Sequence, residues 1–143
     1  CKMQSYFADA LVNAPDIDAF IFDSFSNPTI EEIRERLFPF IEKLQGAHPG
    51  KPLIFQHTIY RERRNFDLAT EKNESERMRV VDELMAEAVK RYKDVYYVTT
   101  TNATSPKHDT SVDGTHPGDH GYSLWAESIQ KPILKILRKY GIR

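Results

Sequence analysis

The run Asp113-Gly114-Thr115-His116-Pro117-Gly118-Asp119-His120-Gly121 is the sharpest concentration of chemistry in the sequence. Asp113 precedes His116 by three positions, a spacing that one turn can close. A carboxylate beside an imidazole fixes its tautomer and stabilises the imidazolium, leaving the other ring nitrogen to take a proton from a serine hydroxyl. The glycines and Pro117 make the stretch an irregular loop with a defined course, able to hold two short polar side chains. The same residues also have a purely structural use, in which Asp113 caps the turn and His116 packs at the entrance of a helix.

Asn27, in Ser24-Phe25-Ser26-Asn27-Pro28, is a second candidate because it directly follows an apolar run. Its amide can donate to an oxyanion that develops only in a transition state; alternatively it is a turn residue conditioned by Pro28. A metal-dependent hydrolase built from His57, His108, Asp113, His116 and His120 is a weaker reading. Pro117 and Gly118 break the continuous helix that would present His116 and His120 together, and no His-Glu-x-x-His pattern is present. Asn73-Glu74-Ser75 and Asn102-Ala103-Thr104 are formal glycosylation acceptors if the protein is eukaryotic and secreted, whereas Asn27 is excluded by Pro28.

These residues need elements to position them. Apolar residues at helical spacing from Met3 to Val12 predict a helix, and Ala19-Phe20-Ile21-Phe22 predicts a buried strand. Thr29 with Glu32 forms a capping box for a helix carrying Ile33, Leu37, Phe40, Ile41 and Leu44 on one face, with Pro39 expected to bend or split it. Leu53-Ile54-Phe55 predicts a second core strand. Residues 58–73 then form a long polar loop containing Arg61, Arg63 and Arg64, either a wall of a site or a solvated excursion. Asn73 with Glu76 is expected to cap the next helix, whose apolar face includes Met78, Val81, Leu84, Met85 and Ala88. Val95-Tyr96-Tyr97-Val98-Thr99 predicts a third strand, and a last helix is expected from Asp119, with Gly141 as terminator.

Helices between strands are what parallel pairing requires, so the fold class is α/β, a parallel sheet covered on both faces in three layers. The loops after the strands converge on one edge of such a sheet, where ligands bind; Asp23 to Asn27, His57 to Tyr60 and the chain from Asn102 onward belong there. The chain of 143 residues, 40% hydrophobic, suits one domain with a real core. A formal charge of −1 with no single-sign stripe excludes a backbone-tracking nucleic-acid binder. Cys1 is the single cysteine, which removes an internal disulfide and a cysteine-rich metal site. No run approaches the roughly 18 apolar residues of a membrane span. A periplasmic or secreted location stays open.

With those elements in place, the sequence resembles the SGNH hydrolases, also called GDSL-like lipases or acylhydrolases. Asp113-Gly114-Thr115-His116-Pro117 is similar to the family's C-terminal block, in which the first residue is the triad acid and the histidine the base. Asp23-Ser24-Phe25-Ser26-Asn27-Pro28 resembles the block after the third strand that supplies an oxyanion-hole asparagine, here Asn27. The resemblance implies a flavodoxin-like three-layer fold and hydrolysis of a carboxylic ester on a small molecule, lipid or carbohydrate, without metal or organic cofactor. In such an enzyme His57, Arg61 and His120 would line the substrate side. The competing function on the same fold is an inactive carbohydrate-binding or assembly module.

The resemblance starts only at the middle of the family's domain. The blocks bearing the nucleophilic serine and the oxyanion-hole glycine have no counterpart in residues 1–143. Ser5 lies in a predicted helix without the strand and turn that expose a nucleophile, and Ser24 and Ser26 lack the Gly-Asp-Ser context. The expectation is therefore a C-terminal portion of a single domain with an incomplete sheet. The N-terminal remainder, about 40 to 80 residues, would carry the serine, and the isolated segment would be inactive.

Overall fold

The computed structural model describes residues 2–100 and 110–143. Cys1, Asn102 and His108 lie outside the described residues. In chain order the elements are α1 (Ser5–Val12), β1 (Phe20–Phe22), α2 (Ile30–Ala47), β2 (Leu53–Gln56), a 3₁₀ turn (Glu62–Asn65), α3 (Leu68–Arg91), β3 (Val95–Val98) and α4 (Asp119–Arg138).

The strands form a parallel sheet in the order β1-β2-β3. Phe20, Ile21 and Phe22 stand beside Leu53, Ile54 and Phe55, and Leu53 to Gln56 stand beside Val95 to Val98. Alternation across the pleat sends Phe20, Phe22, Leu53, Phe55 and Val95 into the larger core with Leu37, Phe40, Val81 and Met85 of α2 and α3. Ile54 and Val98 point the other way and pack against Ile133 and Ile136 of α4. Helices thus cover both faces, as parallel sheets require. An aromatic cluster fixes the larger core, with Phe22 and Phe55 centroids 5.0 Å apart and Phe22 and Phe40 5.2 Å apart. Ile21, register partner of Ile54 on the α4 side, is still 46% exposed because α4 covers only the β2–β3 half of that face.

The α2 capping box forms as expected: Glu32 N–H donates to the Thr29 hydroxyl at 3.2 Å, and Thr29 N–H donates to the Glu32 carboxylate at 2.9 Å. Pro39 does not split α2, which runs unbroken from Ile30 to Ala47. Pro39 and Glu35, the residue whose carbonyl loses its partner, both lie on the exposed face of the helix, where the freed acceptor is open to solvent. The start of α3 differs more. The helix begins at Leu68, not after Asn73, and Asp67 is its cap, accepting from Ala69 N–H at 3.0 Å and Thr70 N–H at 3.2 Å. Leu68 is 86% exposed, so the first turns carry no apolar periodicity that would reveal them. The 3₁₀ turn further shortens the expected long loop.

Candidate active site

The loops after β1 and β2 and the loop entering α4 meet at the C-terminal edge of the sheet. There they enclose a small cleft of about 130 Å³ whose walls include Asp23, Asn27, Arg61, His116, Tyr122 and Trp125. Asp113 and His116 contact each other through a tight turn. One Asp113 oxygen accepts from Thr115 N–H at 2.8 Å and His116 N–H at 2.7 Å; the other accepts from His116 Nδ1 at 2.7 Å. The main-chain N–H of His116 and then its ring, followed by Thr115 N–H, hold the Asp113 carboxyl well below the usual carboxylate range. An ionised carboxylate only accepts, so Nδ1 carries the proton and Nε2 is the basic nitrogen. His116 is 77% exposed, and Nε2 bonds to none of the described residues.

This turn is held from both sides. Thr110 N–H donates to the buried Glu62 carboxylate at 3.0 Å, and the Thr110 and Ser111 hydroxyls donate to the same carboxylate. Arg63 N–H donates to Gly114 O at 2.8 Å, and Gly118 N–H to Thr110 O at 2.8 Å. Gly114 has φ +75, and a Cβ there would sit 3.1 Å from the Arg63 nitrogen. Gly121 has no room at all: its Cβ would lie 2.4 Å from Thr110 O. The 3₁₀ turn after β2 therefore acts as a bracket for the Asp113–His116 turn.

The β1 loop is clamped by a buried ion network. Glu74, whose side chain is 4% exposed, binds Arg61 at 3.0 Å and Arg77 at 2.6 Å. The two guanidinium groups converge on the Ser26 carbonyl, at 2.6 and 2.7 Å. Burial pulls the Arg77 pKa down, with Glu74 opposing that shift. Asn27, next in sequence, keeps its amide exposed and unbonded among the described residues.

Of the residues singled out from sequence, Asn27, Arg61 and His116 line one cleft, with Asp113 behind His116. Arg61 spends both terminal guanidinium nitrogens on Glu74 and Ser26, so it positions the Asn27 loop as well as lining the wall. His57 turns toward α3, its Nε2 4.0 Å from the Asp82 carboxylate, with Nδ1 2.6 Å from Thr58 O and its ring 6.2 Å from Tyr97 of β3. His120 is exposed in the first turn of α4 and is not part of the cleft wall. Among the described residues no group of three or more His, Cys, Asp or Glu side chains could hold a metal ion. Ser24 is fully buried. Ser26 is committed to Thr58 at 2.5 Å and Asp23 at 3.1 Å.

Sequence reasoning missed the Glu62 bracket, the Glu74 clamp and the pair Tyr122 and Trp125 as cleft walls. Tyr122 and Trp125 fall at helical spacing with the apolar residues Ile129, Ile133 and Ile136 of α4, yet Tyr122 is 53% exposed and Trp125 donates its indole N–H to Gln56 at 3.2 Å. Their i, i+3 separation beside His116 was the available signal.

The family model described as GDSL-like Lipase/Acylhydrolase family matches residues 1–135. Among solved structures, a protein of Bacteroides ovatus ATCC 8483 described as a GDSL-like lipase superposes with a TM-score of 0.86 at 32% sequence identity. The match covers 96% of this chain and 41% of that one, so the chain spans less than half the length of that relative. No curated protein matches the chain.

Proposed function

The chain belongs to the GDSL-like lipase/acylhydrolase family, and from that premise we propose that it supplies the acid, the base and one oxyanion donor of a serine ester hydrolase. The observation that carries this reading is the 2.7 Å Asp113–His116 contact, which leaves His116 Nε2 unbonded among the described residues at a cleft shared with Asn27. A serine hydroxyl attacks the ester carbonyl carbon while Nε2 takes its proton. The tetrahedral oxyanion receives hydrogen bonds from Asn27 and main-chain N–H groups. The intermediate then collapses, His116 returns the proton to the departing alkoxide, and the alcohol leaves. Water repeats the cycle on the acyl-enzyme, releasing the acid and regenerating the serine. Asp113 stays ionised throughout and stabilises the imidazolium.

The nucleophilic serine belongs to polypeptide outside residues 1–143, together with the glycine donor of the oxyanion hole. Two features support this: Ser24 is inaccessible, and the Ser26 hydroxyl is spent on Thr58 and Asp23. Among the described residues β1 ends the strand order and pairs with β2 alone, which suits a sheet that continues past that strand. The test is turnover of p-nitrophenyl acetate by residues 1–143 alone and by a polypeptide carrying a Gly-Asp-Ser block ahead of them. Turnover is expected only from the longer form, with a loss of about 10²–10⁴-fold on His116→Gln. Turnover that ignores His116→Gln would sink the assignment.

A further inference from the structure

Tyr122 and Trp125 stand one turn apart on α4 and stack with centroids 6.0 Å apart and planes within 18°. Both border the cleft that holds His116 and Asn27. We propose that this aromatic pair is a platform for a sugar ring, so that the ester turned over at His116 is an acyl group on a carbohydrate hydroxyl.

Three observations carry the assignment. The Trp125 indole is locked in orientation by its N–H bond to Gln56, a buried residue at the end of β2, so the ring is preorganised rather than mobile. Tyr122 is largely exposed, and its hydroxyl makes no hydrogen bond to the described residues, leaving an apolar face with a polar tip turned to solvent. The same cleft is lined by the polar and charged Asp23, Asn27 and Arg61, with Ile59 and Pro117 among its apolar walls. A pyranose has a C–H face that packs on an aromatic ring and a girdle of hydroxyls that need donors and acceptors around it, which is this combination. A long acyl chain instead needs a continuous apolar channel, whereas Asp23, Asn27 and Arg61 interrupt this wall with polar and charged groups. The inference rests on the hydrolytic reading in that it names the alcohol held by the same site.

Trp125 is the single tryptophan of the chain, so its fluorescence reports the platform directly. Residues 1–143 are titrated with an acetylated methyl glucopyranoside and, in parallel, with butyl acetate. A saturable change with the sugar ester, absent with butyl acetate over the same range, is expected. Tyr122→Leu, at an exposed position, should weaken the sugar titration about 5- to 10-fold while circular dichroism stays unchanged, and Tyr122→Phe should retain most of the affinity. No saturable response to the sugar ester, an equal response to butyl acetate, or an unchanged titration in Tyr122→Leu each overturns the platform. Failure of the hydrolytic reading looks different. Sugar binding would persist while the serine-bearing polypeptide gave no His116-dependent turnover, whereas turnover of p-nitrophenyl acetate without sugar binding would leave the mechanism standing and remove the platform.

Discussion

Replacing Gly121 by Ala tests whether the Asp113–His116 turn is held by close packing against α4. The new Cβ would lie 2.4 Å from Thr110 O, 2.8 Å from Pro117 Cβ and 3.2 Å from Thr110 Cβ. Two of those atoms belong to Thr110, whose carbonyl accepts from Gly118 and whose N–H is bound by Glu62. None is the far end of a flexible side chain, so the backbone must shift. Overpacking of this kind costs about 1–3 kcal/mol, and loss of the Gly118 hydrogen bond adds about 1 kcal/mol. Better helix propensity of Ala over Gly returns about 1 kcal/mol. The net expectation is a destabilisation of about 1–3 kcal/mol, a fall in Tm of about 3–12 °C for a domain of this size. Thermal unfolding by circular dichroism measures it, with Gly46→Ala in α2 as the control. A Cβ at Gly46 meets nothing within 4 Å, so that substitution should stabilise by up to about 1 kcal/mol. If both variants are equally stable, or Gly121→Ala is the better of the two, the packing argument is wrong.

Asp113→Asn should lower kcat/KM of the serine-bearing polypeptide by about 10³–10⁴-fold, since an amide facing Nδ1 favours the wrong tautomer; a loss under tenfold would contradict the role. The folded-state pKa of Asp113 is depressed, so its contribution to stability is present above the unfolded carboxylate value of about 3.9 and is lost only as pH falls through the lower folded value. The turn, followed by amide signals of Thr115 and His116, should therefore still be closed at pH 4, and a turn already open there would refute the pairing. Glu74→Ala strands Arg61 and Arg77 beside the Ser26 carbonyl and should cost about 3–5 kcal/mol in urea unfolding; a cost below about 1 kcal/mol would show that the clamp is dispensable. Ser26→Ala should cost about 1 kcal/mol of stability and leave ester turnover within an order of magnitude, whereas abolished turnover would make Ser26 the nucleophile.

What was legible in the sequence was local or periodic. Thr29 and Glu32 announce the α2 start because both capping partners lie within one turn, and the β-rich runs around Phe20, Ile54 and Tyr96 sit between helical patterns that demand parallel pairing. The Asp113–His116 contact was readable for the same reason, since its partners are three residues apart. The start of α3 was not, because Asp67 caps a first turn whose Leu68 faces water and leaves no periodic mark. Nor was the Glu62 bracket, which joins residues 48 positions apart. Arg61 read as a substrate-facing charge because its partners, Glu74 and the Ser26 carbonyl, are supplied by a helix and a loop that come together only on folding.

The central claim is that this chain carries the acid–base pair but not the nucleophile. Labelling with a fluorophosphonate, followed by mass-spectrometric mapping of the modified residue, tests it directly, because the reagent marks an activated serine whatever the natural ester. Residues 1–143 alone should remain unlabelled. In the polypeptide with the Gly-Asp-Ser block ahead of them the adduct should fall on the serine of that block and disappear with His116→Gln. An adduct on Ser24, Ser26 or any other serine within the 143 residues, lost with His116→Gln, would contradict the account.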